Sequence, residues 1–166
     1  MKKIIYLARK LKAFTFDEIF MLAEIPKEEL SSMLEQLISE NVLKEDGEKY
    51  YTNYNIGDIV FVKEYKYSDV KKGNNHFFVI IDKDNTAVPI ENFGMIISSN
   101  LEKLKFKSNK LLEKDTLNNL KKNSIVKTDV VYKILNEQII FKIGTVDSEK
   151  IEEYKNSFYE SLQGEN

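Results

Sequence analysis

The stretch "KKGNNHFFVIIDKDN", residues 71–85, passes without interruption from a polar loop rich in Gly and Asn into a continuous apolar run. From His76 to Asp82 both faces of an extended chain would be apolar, which is the pattern of a strand covered on both sides rather than of a half-solvated one. The run also holds the only histidine of the 166-residue chain, at the point where the loop becomes the strand.

Short strands surround it. Upstream, "GDIVFV" (Gly57 to Val62) is a strand opened by a glycine turn, and downstream "FGMIISS" (Phe93 to Ser99) is another. Ser124 to Leu135 alternates, with Val126, Thr128, Val130, Tyr132 and Ile134 facing one way and Lys127, Asp129 and Lys133 the other. A tight turn at Asn136–Glu137 predicts an antiparallel hairpin with the "QIIFKIG" segment that follows. Asp147 or Ser148 is placed to cap a last helix carrying Ile151, Tyr154, Phe158 and Leu162 on one stripe. Short strands closed by a helix predict a small β-barrel. Glu113 to Asn123 reads as a polar, solvated loop, and the alternation through Leu104 and Phe106 as a solvated strand.

Residues 1–53 have a different period. Ile4, Ile5, Leu7, Ala8 and Leu11 form one short amphipathic helix. Thr15 followed three residues later by Glu18 is a capping box that starts a second, and Pro26 with Glu28 and Glu29 starts a third. Leu30, Met33, Leu34 and Leu37 fall at i, i+3, i+4 and i+7 and make one buried face. The "EDGEK" turn then separates Val42–Leu43 from Tyr50–Tyr51 as a hairpin. The expected organisation is α+β: a helical domain at 1–53 and a strand-rich domain at 54–166.

Composition narrows the chemistry. A net charge of −2 makes any nucleic-acid site a local patch. The absence of cysteine excludes disulfides, zinc–thiolate sites and thiol nucleophiles. Arg9, Lys10 and Lys12 break any leader-like apolar core near the N-terminus, and no apolar run is of spanning length, so a cytoplasmic protein is expected.

The three helices and hairpin of residues 3–52 resemble a winged helix-turn-helix domain. The third helix of such domains usually enters the DNA major groove. Here its outward positions include Glu28, Glu29, Glu35 and Glu40, the wrong sign for phosphate, so a docking or regulatory role outweighs DNA reading. In residues 57–162, "GDIVFV", "HFFVIIDKD", "MIISSN", "LKKNSIVKTD" and "FKIGTVDSEKIEEYKNSFYESL" occur in the order of corresponding segments of the MazF/PemK toxin family. That family has SH3-like barrels that cleave single-stranded RNA without a metal or cofactor.

The resemblance places His76 where the family has its catalytic arginine and Ser98 where it has an assisting threonine. Imidazole, with a pKa near ~6.5, can exchange a proton at neutral pH, and a serine hydroxyl can hydrogen-bond a non-bridging phosphate oxygen. RNA contact is expected from the aromatic and lysine residues before the histidine (Tyr65, Tyr67, Lys71, Lys72, with Asn74 and Asn75) and from the segment after Ser98 (Ser99, Asn100, Lys103 and Lys105). Lys71 or Lys72 would supply charge stabilisation, since one imidazole cannot be acid and base at once. The resemblance also implies an antitoxin or other protein partner and a homodimer. The expected readings are a toxin-like endoribonuclease with an N-terminal regulatory module, or a catalytically inactive relative serving as a binding regulator or inhibitor, encoded for instance on a mobile element. A transcriptional regulator is disfavoured by the acidic third helix.

Overall fold

The computed structural model describes residues 1–66, 72–87 and 89–164, with residues 66 and 72–74 described by their backbone alone. The chain divides into two compact units, Met1–Tyr54 and Asn55–Asn166.

In the first unit, α1 (Lys2–Leu11), β1 (Ala13–Thr15), α2 (Phe16–Ala23) and α3 (Lys27–Ser39) precede the hairpin of β2 (Leu43–Asp46) and β3 (Lys49–Thr52). The Thr15 capping box is formed: its hydroxyl accepts from the Glu18 amide at 3.2 Å, and the Glu18 carboxylate accepts from the Thr15 amide at 2.8 Å. Leu30, Leu34 and Leu37 of α3 are buried with Ile4, Ala8, Ile19 and Leu43. Full burial of such a side chain stabilises the unit by about 1.5–3 kcal/mol. The three-residue strand β1, invisible to pattern reading, pairs with β3 to give the sheet order β1-β3-β2.

The second unit is built on a seven-stranded antiparallel sheet among the described residues. Its strands are β4 (Asp58–Lys66), β5 (Lys72–Asp84), β6 (Glu91–Ser98), β7 (Asn109–Leu112), β8 (Ser124–Lys127), β9 (Tyr132–Leu135) and β10 (Ile139–Thr145). The order is β10-β4-β5-β6-β8-β7, with β9 also paired to β6. Helix α4 (Ser148–Gln163) follows, capped by Asp147, whose carboxylate accepts from the Lys150 amide at 3.0 Å. Ile151 and Tyr154 of α4 are buried with Ile59, Val79, Met95, Ile97 and Val126. Leu162, expected on the same stripe, is 47% exposed.

Several sequence expectations are corrected here. The sheet is not closed into a barrel: β9 joins β6 and β10 joins β4, and the two are linked by a 3-10 turn at Asn136–Gln138 instead of pairing as a hairpin. The stretch 124–135 is two strands, because the chain turns at Thr128, whose amide and hydroxyl both donate to the Ser108 carbonyl. Leu101–Lys105 is a 3-10 helix rather than a solvated strand.

The segment 113–123 is a loop, exposed except at Asn118 and Leu120, as its polar composition led one to expect, but it is anchored. Asn118 is buried, Asp115 accepts from the amides of Leu117 and Asn118, and Asn118 donates to the Glu113 carbonyl. The segment lies against β10: the Thr145 amide donates to Leu117 O at 3.0 Å, and Asn119 Nδ2 donates to Ile143 O at 2.8 Å. Gly144 permits this approach, since a Cβ there would sit 2.4 Å from the Asn118 carbonyl oxygen. The Gly57–Asp58 pair that opens β4 is likewise structural. Gly57 has φ +96, and buried Asp58 holds Lys142 at 2.9 Å and accepts from the Asn55 amide.

Candidate functional site

A cavity of about 620 Å³ is lined by residues of β4, β5, β6 and β10 and of the 119–122 loop. Its lining includes His76 and Ser98, flanked by Asn75 and Ser99, and on other sides Phe61, Phe77 and Phe141, and Asn119, Lys121 and Lys122. The β5–β6 ladder explains why His76 and Ser98 approach. Phe78 pairs with Ile96 and Phe77 with Ile97, so continuing that register sets His76 opposite Ser98 on the same face of the sheet. Both are half-buried. Phe77 and Ile97, one residue along, belong to the other face, and the cavity takes lining from both faces where the ladder ends.

The imidazole is held from one side. Tyr65 Oη lies 3.3 Å from His76 Nδ1, and the two rings meet edge to face with centroids 5.9 Å apart. Tyr65 itself is buried against Phe78 (4.9 Å) and Tyr132 (5.4 Å). A phenol can donate or accept, so it satisfies Nδ1 in either protonation state of the ring. Ser98 Oγ accepts from the Asn100 amide at 3.3 Å, which leaves its O–H proton to be directed elsewhere.

Lys121 and Lys122 are exposed and make no ion pair among the described residues. No carboxylate is found among the described lining residues, in a chain that has more Asp and Glu than Lys and Arg. Among the described lining residues the formal charge is therefore positive. No cluster of three or more His, Asp or Glu able to hold a metal is present among the described residues. No helix among them is long and apolar enough to cross a membrane.

The expected RNA-contact residues are distributed differently. Asn75 and Ser99 line the cavity, Asn75 with φ +52. Tyr65 is not an open stacking platform; its ring is buried behind His76 and acts on the imidazole. Asn100 is occupied as a cap, accepting from the Glu102 amide at 3.2 Å at the start of the 3-10 helix. Lys103 and Lys105 lie on that helix and are not among the lining residues. Lys103 neighbours Lys127, whose pKa is pushed down first by burial and then by the hydrogen bond and charge of Lys103, while Lys105 lies over the Phe106 ring at 5.3 Å. Tyr67 and Lys71 fall outside the described residues, and Lys72 and Asn74 are described only as strand backbone of β5. Lys121, Lys122 and the three phenylalanines were missed by sequence reading. The lysines stand in a segment of loop-like composition, and the phenylalanines are dispersed over three strands.

No protein-family model and no curated protein sequence matches the chain. Among solved structures, the Mycobacterium tuberculosis toxin MazF-mt6 aligns with a TM-score of 0.43 and 13% identity, over 64% of this chain and 93% of that chain. At that level of similarity the match transfers neither fold nor activity.

Proposed function

We propose that the second unit is a metal-independent endoribonuclease acting on single-stranded RNA, and that the first unit is a winged-helix module for regulation or partner docking. The observation that supports this reading most is the meeting of a half-buried imidazole, a serine hydroxyl and two lysines in one cavity with no carboxylate among its described lining residues. It also accommodates the segment order shared with the MazF/PemK family.

The chemistry needs no cofactor. His76 accepts the proton of a ribose 2′-hydroxyl as that oxygen attacks the adjacent phosphorus. Ser98 donates to a non-bridging oxygen, and Lys121 or Lys122 opposes the charge that builds on the phosphorane. The P–O5′ bond then breaks, and the departing 5′-oxygen takes a proton from the imidazolium or from a lysine ammonium. The products are a 2′,3′-cyclic phosphate and a 5′-hydroxyl. Tyr65 is a positioning residue that keeps the imidazole oriented through Nδ1. The acidic face of α3, with Glu28, Glu29 and Glu35 exposed, favours a protein partner over DNA for the first unit.

The test is cleavage of single-stranded RNA by the purified full chain in the presence of a chelator. His76→Ala should lower turnover by about 10²–10⁴-fold. Tyr65→Phe should shift the pH–rate profile and lower kcat with KM unchanged. Equal cleavage by wild type and His76→Ala overturns the mechanism. RNA binding without cleavage by the wild type favours the second reading, a non-catalytic binding regulator. That reading draws on the presence of a single imidazole where acid and base are both required.

A further inference from the structure

Phe61, Phe77 and Phe141 come from three neighbouring strands and stand in one row across them: Phe141 pairs with Phe61, and Phe61 with Phe77. The Phe61 and Phe141 rings are stacked, with centroids 5.0 Å apart and planes 15° from parallel. Phe77 tilts against Phe61 at 4.9 Å. Phe141 is 39% exposed, and the other two are half-buried. Rings packed against one another and still open to a cavity offer an apolar aromatic surface, and the ammonium groups of Lys121 and Lys122 belong to side chains lining the same cavity.

We propose that this aromatic row is a base-stacking subsite for a single RNA strand whose phosphates run past Lys121 and Lys122. The proposal rests on the RNA reading above and extends it to a site that the catalytic pair does not define. Charge selects the occupant: an apolar face rimmed by lysines that make no ion pair among the described residues, with no carboxylate in the described lining, fits a polyanion with flat apolar faces. Of the two side-chain amides on the described lining, Asn75 and Asn119, the latter already donates an Nδ2 hydrogen to Ile143 O at 2.8 Å. Base-edge reading at the row is correspondingly weak. The subsite tolerates any base and favours purines, which stack over more area.

The experiment uses the full chain and a fluorescein-labelled single-stranded RNA carrying 2′-fluoro groups, which removes the internal nucleophile. Binding is followed by anisotropy as a function of salt. Phe141→Leu keeps apolar bulk and removes the ring, and should weaken binding by about 5- to 150-fold with the salt slope unchanged. Lys121→Ala with Lys122→Ala should instead flatten the salt slope, by about 0.7 per lysine lost. Because the chain has no tryptophan, Phe141→Trp installs a single reporter whose emission should be quenched on RNA binding while affinity is retained.

Wild-type affinity in Phe141→Leu, or indole emission from the Phe141→Trp variant that stays unquenched in a complex that forms, overturns the subsite. Failure of the wild type to bind RNA does so as well. A wild-type dimer that Phe141→Leu dissociates, with RNA affinity unaltered, assigns the row to a second copy of the chain and also overturns it. Bound but uncleaved natural RNA refutes the nuclease reading and leaves the subsite standing. Cleavage with Phe141→Leu binding as tightly as wild type does the reverse.

Discussion

Replacing Gly144 by alanine should do more damage than one methyl group on a strand ordinarily does. The added Cβ would meet backbone, not a flexible side-chain end: Asn118 O at 2.4 Å, Asn118 C at 2.5 Å and Leu117 O at 2.6 Å. Relief requires β10 and the 115–122 segment to separate. That movement strains the Thr145 amide to Leu117 O bond and the Asn119 Nδ2 to Ile143 O bond. Overpacking costs about 1–3 kcal/mol and each hydrogen bond about 0.5–1.5 kcal/mol, so the expected loss is about 2–6 kcal/mol. The assay is urea denaturation of the full chain, read as a lower midpoint at unchanged slope. The same displacement carries Lys121 and Lys122 away from the cavity, so RNA affinity should fall and depend less on salt. A Gly144→Ala protein within about 0.5 kcal/mol of wild type would show that the segment is not held against β10 as described.

Two further outcomes are expected. Asp147→Ala should cost about 1 kcal/mol by removing the α4 cap. The Lys150 amide hydrogen bond holds the Asp147 carboxyl below its ordinary 3.8, so its contribution is present above that pH and is lost as pH falls through the depressed folded value. Wild type and variant should therefore differ in urea midpoint at neutral pH and converge in acid; a pH-independent gap contradicts this assignment. Tyr154→Phe should stabilise the second unit by about 1 kcal/mol, measured by thermal melting. The Tyr154 hydroxyl is buried without a hydrogen-bond partner among the described residues, and burial also pushes its pKa up. A lower melting temperature for the phenylalanine variant would be incompatible with an unsatisfied hydroxyl.

Local signals in the chain were legible where a few consecutive residues suffice. The Thr15–Glu18 box, the Leu30–Leu34–Leu37 stripe, the Gly47 turn between β2 and β3 and the Asp147 cap each depend on neighbours within a helical turn or a hairpin. His76 stood out for the same reason, as the single histidine at the start of an apolar run, whereas Ser98 was singled out only by the family resemblance. The element boundaries that went wrong were set by distant partners. Thr128 ends β8 because Ser108 offers a carbonyl. The anchoring of the exposed 113–123 loop on β10, which its composition did not show, likewise depends on a distant residue, Gly144. Tyr65 looked like a stacking residue by its lysine neighbours, yet Phe78 and Tyr132 enclose it.

The amino-acid order by itself determined a helical first unit, a strand-rich second one, and a lone imidazole at the mouth of a strand, because periodicity and capping act between residues close in the chain. Only the tertiary structure decided that the sheet stays open, that His76 comes opposite Ser98 across β5 and β6, and that Phe61, Phe77 and Phe141 form one row lining the same cavity as Lys121 and Lys122. Those relations arise from strand register and from backbone approach at Gly144, and a shift of one residue in any ladder would turn the same side chains to the opposite face.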